Sequence, residues 1–206
     1  GLSLPQIELF VSKYGYGKPI AEKICKWIYR KGCTSFTQMD DIPKNIRDKL
    51  GEEFGLDRLE PVEVQYSSDG TQKFLYKTSN GNPFETAYIP GGRRNTLCLS
   101  TQSGCRMECS FCHTGTIGFR ENLSTADIVL QLLSNPNLAK INRLVLMGMG
   151  EPLDNADKVF KALRIFTSQW GMAFGVANIT LSTVGILPEL PRFVNSKMCN
   201  IAISLH

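Results

Sequence analysis

A repeated pattern of strand, loop and helix over the second half of the chain most constrains its fold. From residue 95 onward, short apolar runs alternate with amphipathic segments that have helical periodicity. Strands that are apolar along their whole length and alternate with helices are typical of a parallel sheet covered by helices. The predicted strands are residues 96–101, 144–147, 179–182 and 201–205, and the predicted helices are residues 125–133, 156–166 and a short one around 188–193. The fold class expected here is therefore α/β.

The first 92 residues show two other patterns. Apolar side chains recur at helical spacing over residues 1–58, as in Ile20, Ile24 and Trp27, which predicts a small helical accessory domain. Over residues 59–92 apolar residues alternate on either side of a polar turn at 67–70, which predicts a β-hairpin linker. Residues 93–206 would then form the third region, which contains the parallel sheet.

Cysteine spacing gives the sharpest chemical signal. Of the seven cysteines, Cys105, Cys109 and Cys112 crowd into one eight-residue stretch directly after the first predicted barrel strand. In a reducing compartment such clustering favours metal binding over disulfides. Three thiolates on one loop can bind three irons of a cubane cluster and leave the fourth iron open. A zinc site usually has four ligands, commonly in two pairs, so zinc or a chance grouping is the weaker alternative.

Polar motifs follow the other three predicted strands. They are Gly148-Met149-Gly150-Glu151-Pro152, Ser182-Thr183-Val184-Gly185 and Ser204-Leu205-His206. In a barrel of parallel strands the carboxyl ends all lie at one mouth. We therefore expect these motifs and the cysteine loop to lie at the same end of the sheet.

The cysteine loop resembles the signature of radical S-adenosylmethionine enzymes, since an aromatic residue precedes the last cysteine and a strand precedes the first. The resemblance implies a partial TIM-type (β/α) barrel in which Cys105, Cys109 and Cys112 hold a [4Fe-4S] cluster. It also implies that the open iron binds S-adenosylmethionine, whose cleavage yields a 5′-deoxyadenosyl radical. The implied contacts to S-adenosylmethionine come from Gly150, Glu151, Ser182, Ser204, Leu205 and His206.

A closer resemblance lies in residues 96–105, 118–123, 147–153, 179–185 and 202–206, which are similar to the RNA adenine-C2 methyltransferase family. That family implies methylation of adenine in 23S rRNA, with tRNA as a further substrate, through a methyl-cysteine intermediate. Glu85 matches its proton-accepting glutamate. Cys98 matches the cysteine that releases the methylated base from a protein–RNA adduct. Relatives of the family that methylate C8, or another radical enzyme without an RNA substrate, are the alternatives within this class.

No residue of the chain matches the methyl-carrying cysteine that the family has near its C-terminus. A parallel sheet that stops at its fourth strand would also leave an apolar edge uncovered. We therefore expect a barrel truncated after the fourth strand, in a fragment that is inactive alone.

Charge and hydropathy limit the partners and the location. A formal net charge of +4 permits a nucleic-acid partner, and Arg93, Arg94, Arg106 and Arg120 flank the expected mouth. No apolar run is long enough to span a membrane, so a cytoplasmic protein is expected. The family resemblance adds a flavodoxin-like electron donor and a monomeric full-length enzyme. A zinc-stabilised RNA-binding module without catalysis is the alternative of a different class.

Overall fold

The computed structural model describes residues 1–205, so the expected role of His206 lies outside the described residues. The N-terminal stretch forms three helices: α1 Leu4–Ser12, α2 Lys18–Tyr29 and α3 Lys44–Glu53. Pro5 lies in the first turn of α1, where a backbone N–H would have no acceptor within the helix, so proline removes no helix hydrogen bond. The Ser3 N–H, before the helix, donates to Gln6 Oε1 at 2.9 Å. Each helix buries one apolar face, with Ile24 and Ile46 fully buried. These helices lie within the region whose periodicity predicted them.

Nine strands follow within residues 1–205. They are β1 Glu63–Tyr66, β2 Gln72–Lys77, β3 Pro83–Ile89, β4 Thr96–Cys98, β5 Gln102–Ser103, β6 Glu121–Asn122, β7 Arg143–Leu146, β8 Ile179–Thr183 and β9 Asn200–Ile203. Seven of them form one sheet in the order β1-β2-β3-β4-β7-β8-β9, and β5 pairs with β6. The strands from β1 to β4 are antiparallel, whereas β4, β7, β8 and β9 are parallel. The predicted hairpin segment thus contributes three strands and continues the main sheet, because β3 pairs with β4.

Four helices connect the later strands: α4 His113–Thr116, α5 Thr125–Leu133, α6 Ala156–Thr167 and α7 Glu189–Ser196. Helix α5 has the predicted bounds because Ser124 caps it: Ser124 Oγ accepts from the Asp127 N–H at 3.1 Å, and Asp127 Oδ2 accepts from the Ser124 N–H at 2.9 Å. Helix α7 begins after Pro188 and ends at Ser196, and the next residue, Lys197, adopts the left-handed conformation. None of the helices in the described residues is long and apolar enough to cross a membrane.

Burial alternates along the parallel strands and distinguishes the two faces of the sheet. Leu97, Leu144 and Leu181 are fully buried. Between them Cys98 and Val145 are partly exposed and face each other in the β4–β7 register. Because side chains alternate along a strand, the buried row packs against the helices and the partly exposed row forms the inner face of a partial barrel. The second half of the chain therefore has the expected α/β fold, and its parallel strands are consistent with the expected partial barrel.

The first parallel strand is shorter than predicted. Strand β4 ends at Cys98. The Leu99 N–H still donates to the Val145 carbonyl of β7 at 2.8 Å, but the following residues bond to the loop after β7. The Thr101 N–H donates to the Met149 carbonyl at 2.9 Å, and the Gly148 N–H donates to the Leu99 carbonyl at 3.0 Å. This departure brings the first two strand ends into direct contact.

Candidate active site

The loop that carries the three cysteines is closed at its base. Strands β5 and β6 pair Gln102 with Asn122 and Ser103 with Glu121, and the Arg120 N–H donates to the Ser103 carbonyl at 2.9 Å. A Cβ on Gly104, where φ is +79°, would lie 1.7 Å from the Gly118 carbonyl oxygen. Only glycine fits this crossing, because both the backbone conformation and the space exclude a side chain. The cysteine loop therefore leaves the sheet and returns at one point.

The cysteines of this loop differ in burial. Cys105 is buried, Cys109 and Cys112 are half-buried, and no cysteine in residues 1–205 forms a disulfide. Burial raises the pKa of the Cys105 thiol, the Met107 N–H partly opposes that effect, and Glu151, Cys112 and Cys109 raise it further. The Cys112 N–H donates to the Cys109 carbonyl at 2.9 Å, so these two cysteines lie on one turn of the loop.

The thiols are neighbours without forming a preformed ligand set. Across residues 1–205, no three His, Cys, Asp or Glu side chains converge closely enough to hold a metal ion. The chemistry of the donors nevertheless fits an iron–sulfur cluster, since three free thiols share one loop.

Arg106, directly after the first cysteine, is held by two contacts. Its guanidinium carbon lies 3.7 Å from the centroid of the Phe119 ring, and its Nη1 lies 3.2 Å from Asp154 Oδ2. Gln102 Nε2 donates to the same Asp154 oxygen at 2.6 Å. Arg106 therefore stabilises the loop itself. All four arginines, Arg93, Arg94, Arg106 and Arg120, are exposed, as a phosphate contact requires.

Glu121 anchors the returning end of the loop, a role that sequence reasoning missed. The Thr78 hydroxyl donates to its carboxylate, and the side-chain amides of Asn80 and Asn82 do so at 2.8 Å each. These hydrogen bonds, with that of Thr78 first, lower the pKa of Glu121. The only signal in the sequence was a pair of asparagines around Gly81, and nothing there indicates their partner.

The two glycines of the Gly148–Pro152 motif are required by packing against the first strand end. A Cβ on Gly148 would lie 2.7 Å from Ser100 Oγ, and one on Gly150 would lie 2.5 Å from Gln102 Cβ. The Met149 N–H between them donates to Ser100 Oγ at 2.9 Å. The motif therefore lies flat against the residues that lead into the cysteine loop.

Glu151, predicted to contact a cofactor, is buried and joins two strand ends. Its Oε1 accepts from the Leu153 N–H at 2.9 Å and from Thr183 Oγ1 at 2.5 Å, and its Oε2 accepts from the Val184 N–H at 3.0 Å. The carboxylate therefore connects the loop after β7 to the end of β8. Together with its influence on Cys105, this position puts Glu151 between the cysteine loop and the third parallel strand.

The predicted residues on the last two strands also come together. Ser182 Oγ and Ser204 Oγ lie 3.1 Å apart, and the Ser204 N–H donates to the Thr183 carbonyl at 2.8 Å. Leu205 is exposed. Ser182 is the last but one residue of β8, and Ser204 and Leu205 directly follow β9, at the same edge as Glu151.

Glu85 and Cys98 share the inner face of the sheet. In the β3–β4 register Ala87 faces Cys98, and Glu85 lies two residues from Ala87, so all three side chains are on one face. Glu85 Oε1 lies 3.0 Å from Lys73 Nζ on β2. Burial raises the pKa of the Cys98 thiol, and a hydrogen bond with the Met147 backbone partly offsets that rise.

Two family models match the chain. The one described as the radical SAM superfamily matches residues 99–206, which include the cysteine loop and the three strand-end motifs. The chain belongs to the radical SAM superfamily. Residues 1–55 match a second model, the N-terminal domain of the ribosomal RNA large subunit methyltransferase.

Similar proteins extend the superfamily assignment over the whole chain. The chain is 41% identical to the "Dual-specificity RNA methyltransferase RlmN" of Geobacter sulfurreducens and 42% identical to a "Probable dual-specificity RNA methyltransferase RlmN" of Phocaeicola vulgatus, each over 206 residues. It covers 57% and 59% of those two proteins. A crystal structure of a radical SAM methyltransferase from Sphaerobacter thermophilus matches with a TM-score of 0.88 at 33% identity, over 100% of this chain and 62% of that one. The radical SAM chain described here thus spans less than two thirds of the length of these relatives.

Proposed function

We propose that the protein to which this chain belongs transfers a methyl group to C2 of adenine in 23S rRNA and also in tRNA. The names of the two RlmN relatives support an RNA substrate. The observation that carries the proposal is the shared inner face of Glu85 and Cys98, beside the strand ends that lead into the cysteine loop. A proton acceptor and a thiol on one face are what the release of a covalently bound base needs.

In this proposal Cys105, Cys109 and Cys112 would hold a [4Fe-4S] cluster, and residues at the strand ends would bind S-adenosylmethionine. Contacts to the latter would come from Gly150, Glu151, Ser182, Ser204, Leu205 and His206. When bound, the two groups supply one-electron chemistry that produces a carbon radical. The Glu151 carboxylate keeps two of the strand ends together, and the Ser182 and Ser204 hydroxyls, paired with each other at 3.1 Å, offer donors and acceptors at the edge.

Glu85 accepts the proton that leaves C2 of the adenine after the new carbon–carbon bond has formed and while the base is still attached to the protein. The ammonium group of Lys73 lies 3.0 Å from the Glu85 carboxylate and is on the same face of the sheet. The Cys98 thiolate then attacks the sulfur of the methyl-carrying cysteine of the full-length protein, so that a disulfide forms and the carbon–sulfur bond breaks. The electron pair of that bond leaves with the carbon attached to C2, which takes up a proton and becomes the methyl group of the released base.

The remaining features of the proposal concern the whole protein. A flavodoxin-like partner supplies electrons, and the full-length enzyme acts as a cytoplasmic monomer. Residues 1–58 form an accessory domain, residues 59–92 connect it to the barrel, and residues 93–206 form the first part of that barrel.

The test is the substitution Cys98→Ala in the full-length protein. If Cys98 resolves the adduct, the variant should remain covalently attached to RNA when purified from cells, and ribonuclease should increase its mobility on a denaturing gel. Cys199→Ala is the matched control, since Cys199 is another free cysteine but lies directly before β9 and not on the face that Cys98 shares with Glu85. A Cys98→Ala protein that carries no RNA and releases product at the normal rate would contradict the proposed role.

A further inference from the structure

A groove of about 620 Å³ runs along the outer side of α6, away from the inner face of the barrel. Side chains of α6 form its floor, and the start of α1, the residue after α6 and the first half of α7 form its walls. The residues that carry the argument are Phe160, Lys161, Arg164, Ser168 and Arg192.

Positive charge in this groove is not balanced. Three cations, Lys161, Arg164 and Arg192, line it together with a single carboxylate, Asp157. That carboxylate is bound to Arg192 at 2.8 Å, and Glu189 outside the groove is 3.2 Å from the same nitrogen. In the described part of the chain, Lys161 and Arg164 have no carboxylate within 4.0 Å.

Phe160 holds the two arginines in place. The guanidinium carbon of Arg192 lies 4.5 Å from the centroid of its ring, and that of Arg164 lies 5.2 Å from it. Stacking on an aromatic ring leaves the N–H edge of a guanidinium available, and that edge matches two oxygens of a phosphate. The guanidinium group of Arg164 donates no hydrogen bond within residues 1–205, so its N–H donors are free.

The surroundings of Lys161 disfavour the charged form of its ammonium group. Burial lowers the pKa of its ammonium group, and the neighbouring Lys158 lowers it further. An anion in the groove would remove this penalty, since an opposite charge favours the ionised form.

We propose that this groove binds phosphates of the RNA backbone at a distance from the reacting adenine. The inference rests on the proposed RNA substrate, and it adds a second contact region on the outside of the barrel. Backbone contacts of this kind position an RNA without reading its sequence. A concave floor with guanidinium, ammonium and hydroxyl donors, the last from Ser168, suits a phosphate chain better than a flat protein surface.

The test uses the full-length protein and a fluorescently labelled RNA hairpin, with anisotropy measured between about 50 and 200 mM salt. Lys161→Gln combined with Arg164→Gln should weaken binding roughly tenfold or more at the lowest salt. The slope of log affinity against log salt should fall by about 2, because each lost phosphate contact removes about one unit. Arg164→Lys alone, which keeps the charge, should keep most of the slope.

Lys158→Gln is the matched control, because Lys158 lies on the same helix and is exposed but does not line the groove. Glutamine is a good helix former, so neither change should unfold α6. Equal affinity and slope in the double variant and the unsubstituted protein would overturn the groove inference while leaving the RNA substrate intact. Failure of the unsubstituted protein to bind RNA would overturn both. The double variant could also keep RNA binding while an acidic flavoprotein no longer reduces the enzyme. That result would overturn the inference and assign the groove to a protein partner.

Discussion

Replacing Glu151 by glutamine tests whether its carboxylate joins the second and third parallel strands. Glutamine has nearly the same size and keeps one acceptor oxygen. That oxygen can still accept from the Leu153 N–H and from Thr183 Oγ1. The amide NH₂ group must then face the Val184 N–H, which now donates to Oε2 at 3.0 Å.

The expected cost follows from these three bonds. A buried donor that loses its acceptor costs about 1–3 kcal/mol, and the two remaining bonds lose the strengthening that a charged acceptor provides. We expect Glu151→Gln to lower the free energy of unfolding by roughly 2–4 kcal/mol. With a urea m-value of about 2 kcal/mol per molar, the unfolding midpoint should fall by about 1–2 M.

Urea unfolding followed by circular dichroism measures this shift. Glu189→Gln is the control, since Glu189 makes an ion pair with Arg192 at the surface, and such pairs contribute about 0–1 kcal/mol. If the free energy of unfolding of Glu151→Gln lies within about 0.5 kcal/mol of that of the unsubstituted chain, the carboxylate does not hold the two strand ends together.

Three further outcomes are expected. Cys109→Ala should abolish stable loading of a [4Fe-4S] cluster after anaerobic reconstitution, measured by iron content and visible absorbance, whereas Cys199→Ala should load normally; a full cluster in Cys109→Ala would refute the ligand assignment. Gly148→Ala should lower the free energy of unfolding, measured in urea, by about 1–3 kcal/mol, because its Cβ would lie 2.9 Å from a backbone carbonyl oxygen. Gly175→Ala is the control: the atom nearest to its Cβ would be 3.5 Å away, so it should cost less than about 0.5 kcal/mol. Burial raises the pKa of Cys25 to about 12 and of Cys199 to about 11. The contribution of these thiols to stability is therefore fully present below the ordinary thiol pKa of 9.0 and is lost as the pH rises above it. The urea midpoint should fall between pH 8 and pH 11, and a constant midpoint over that range would contradict this expectation.

Local patterns determined much of the architecture. Helix α5 has the bounds expected from its apolar period and its Ser124 cap, because both signals lie within a few residues of the helix. The cysteine spacing, readable without any fold, indicated a loop directly after the first parallel strand. Parallel strands have their carboxyl ends at one edge, so the meeting of the strand-end motifs also followed from the order of the elements.

Tertiary structure decided which side chains these elements bring together. Glu121 binds amides 39 and 41 residues earlier in the chain. Gln131, fully buried, accepts hydrogen bonds from the Thr86 hydroxyl and the Ser100 N–H. The glycines of the Gly148–Pro152 motif are required by the strand end on which they lie. Periodicity and spacing report on neighbours along one element, whereas these contacts depend on how separate elements pack, and so only the folded chain determines them.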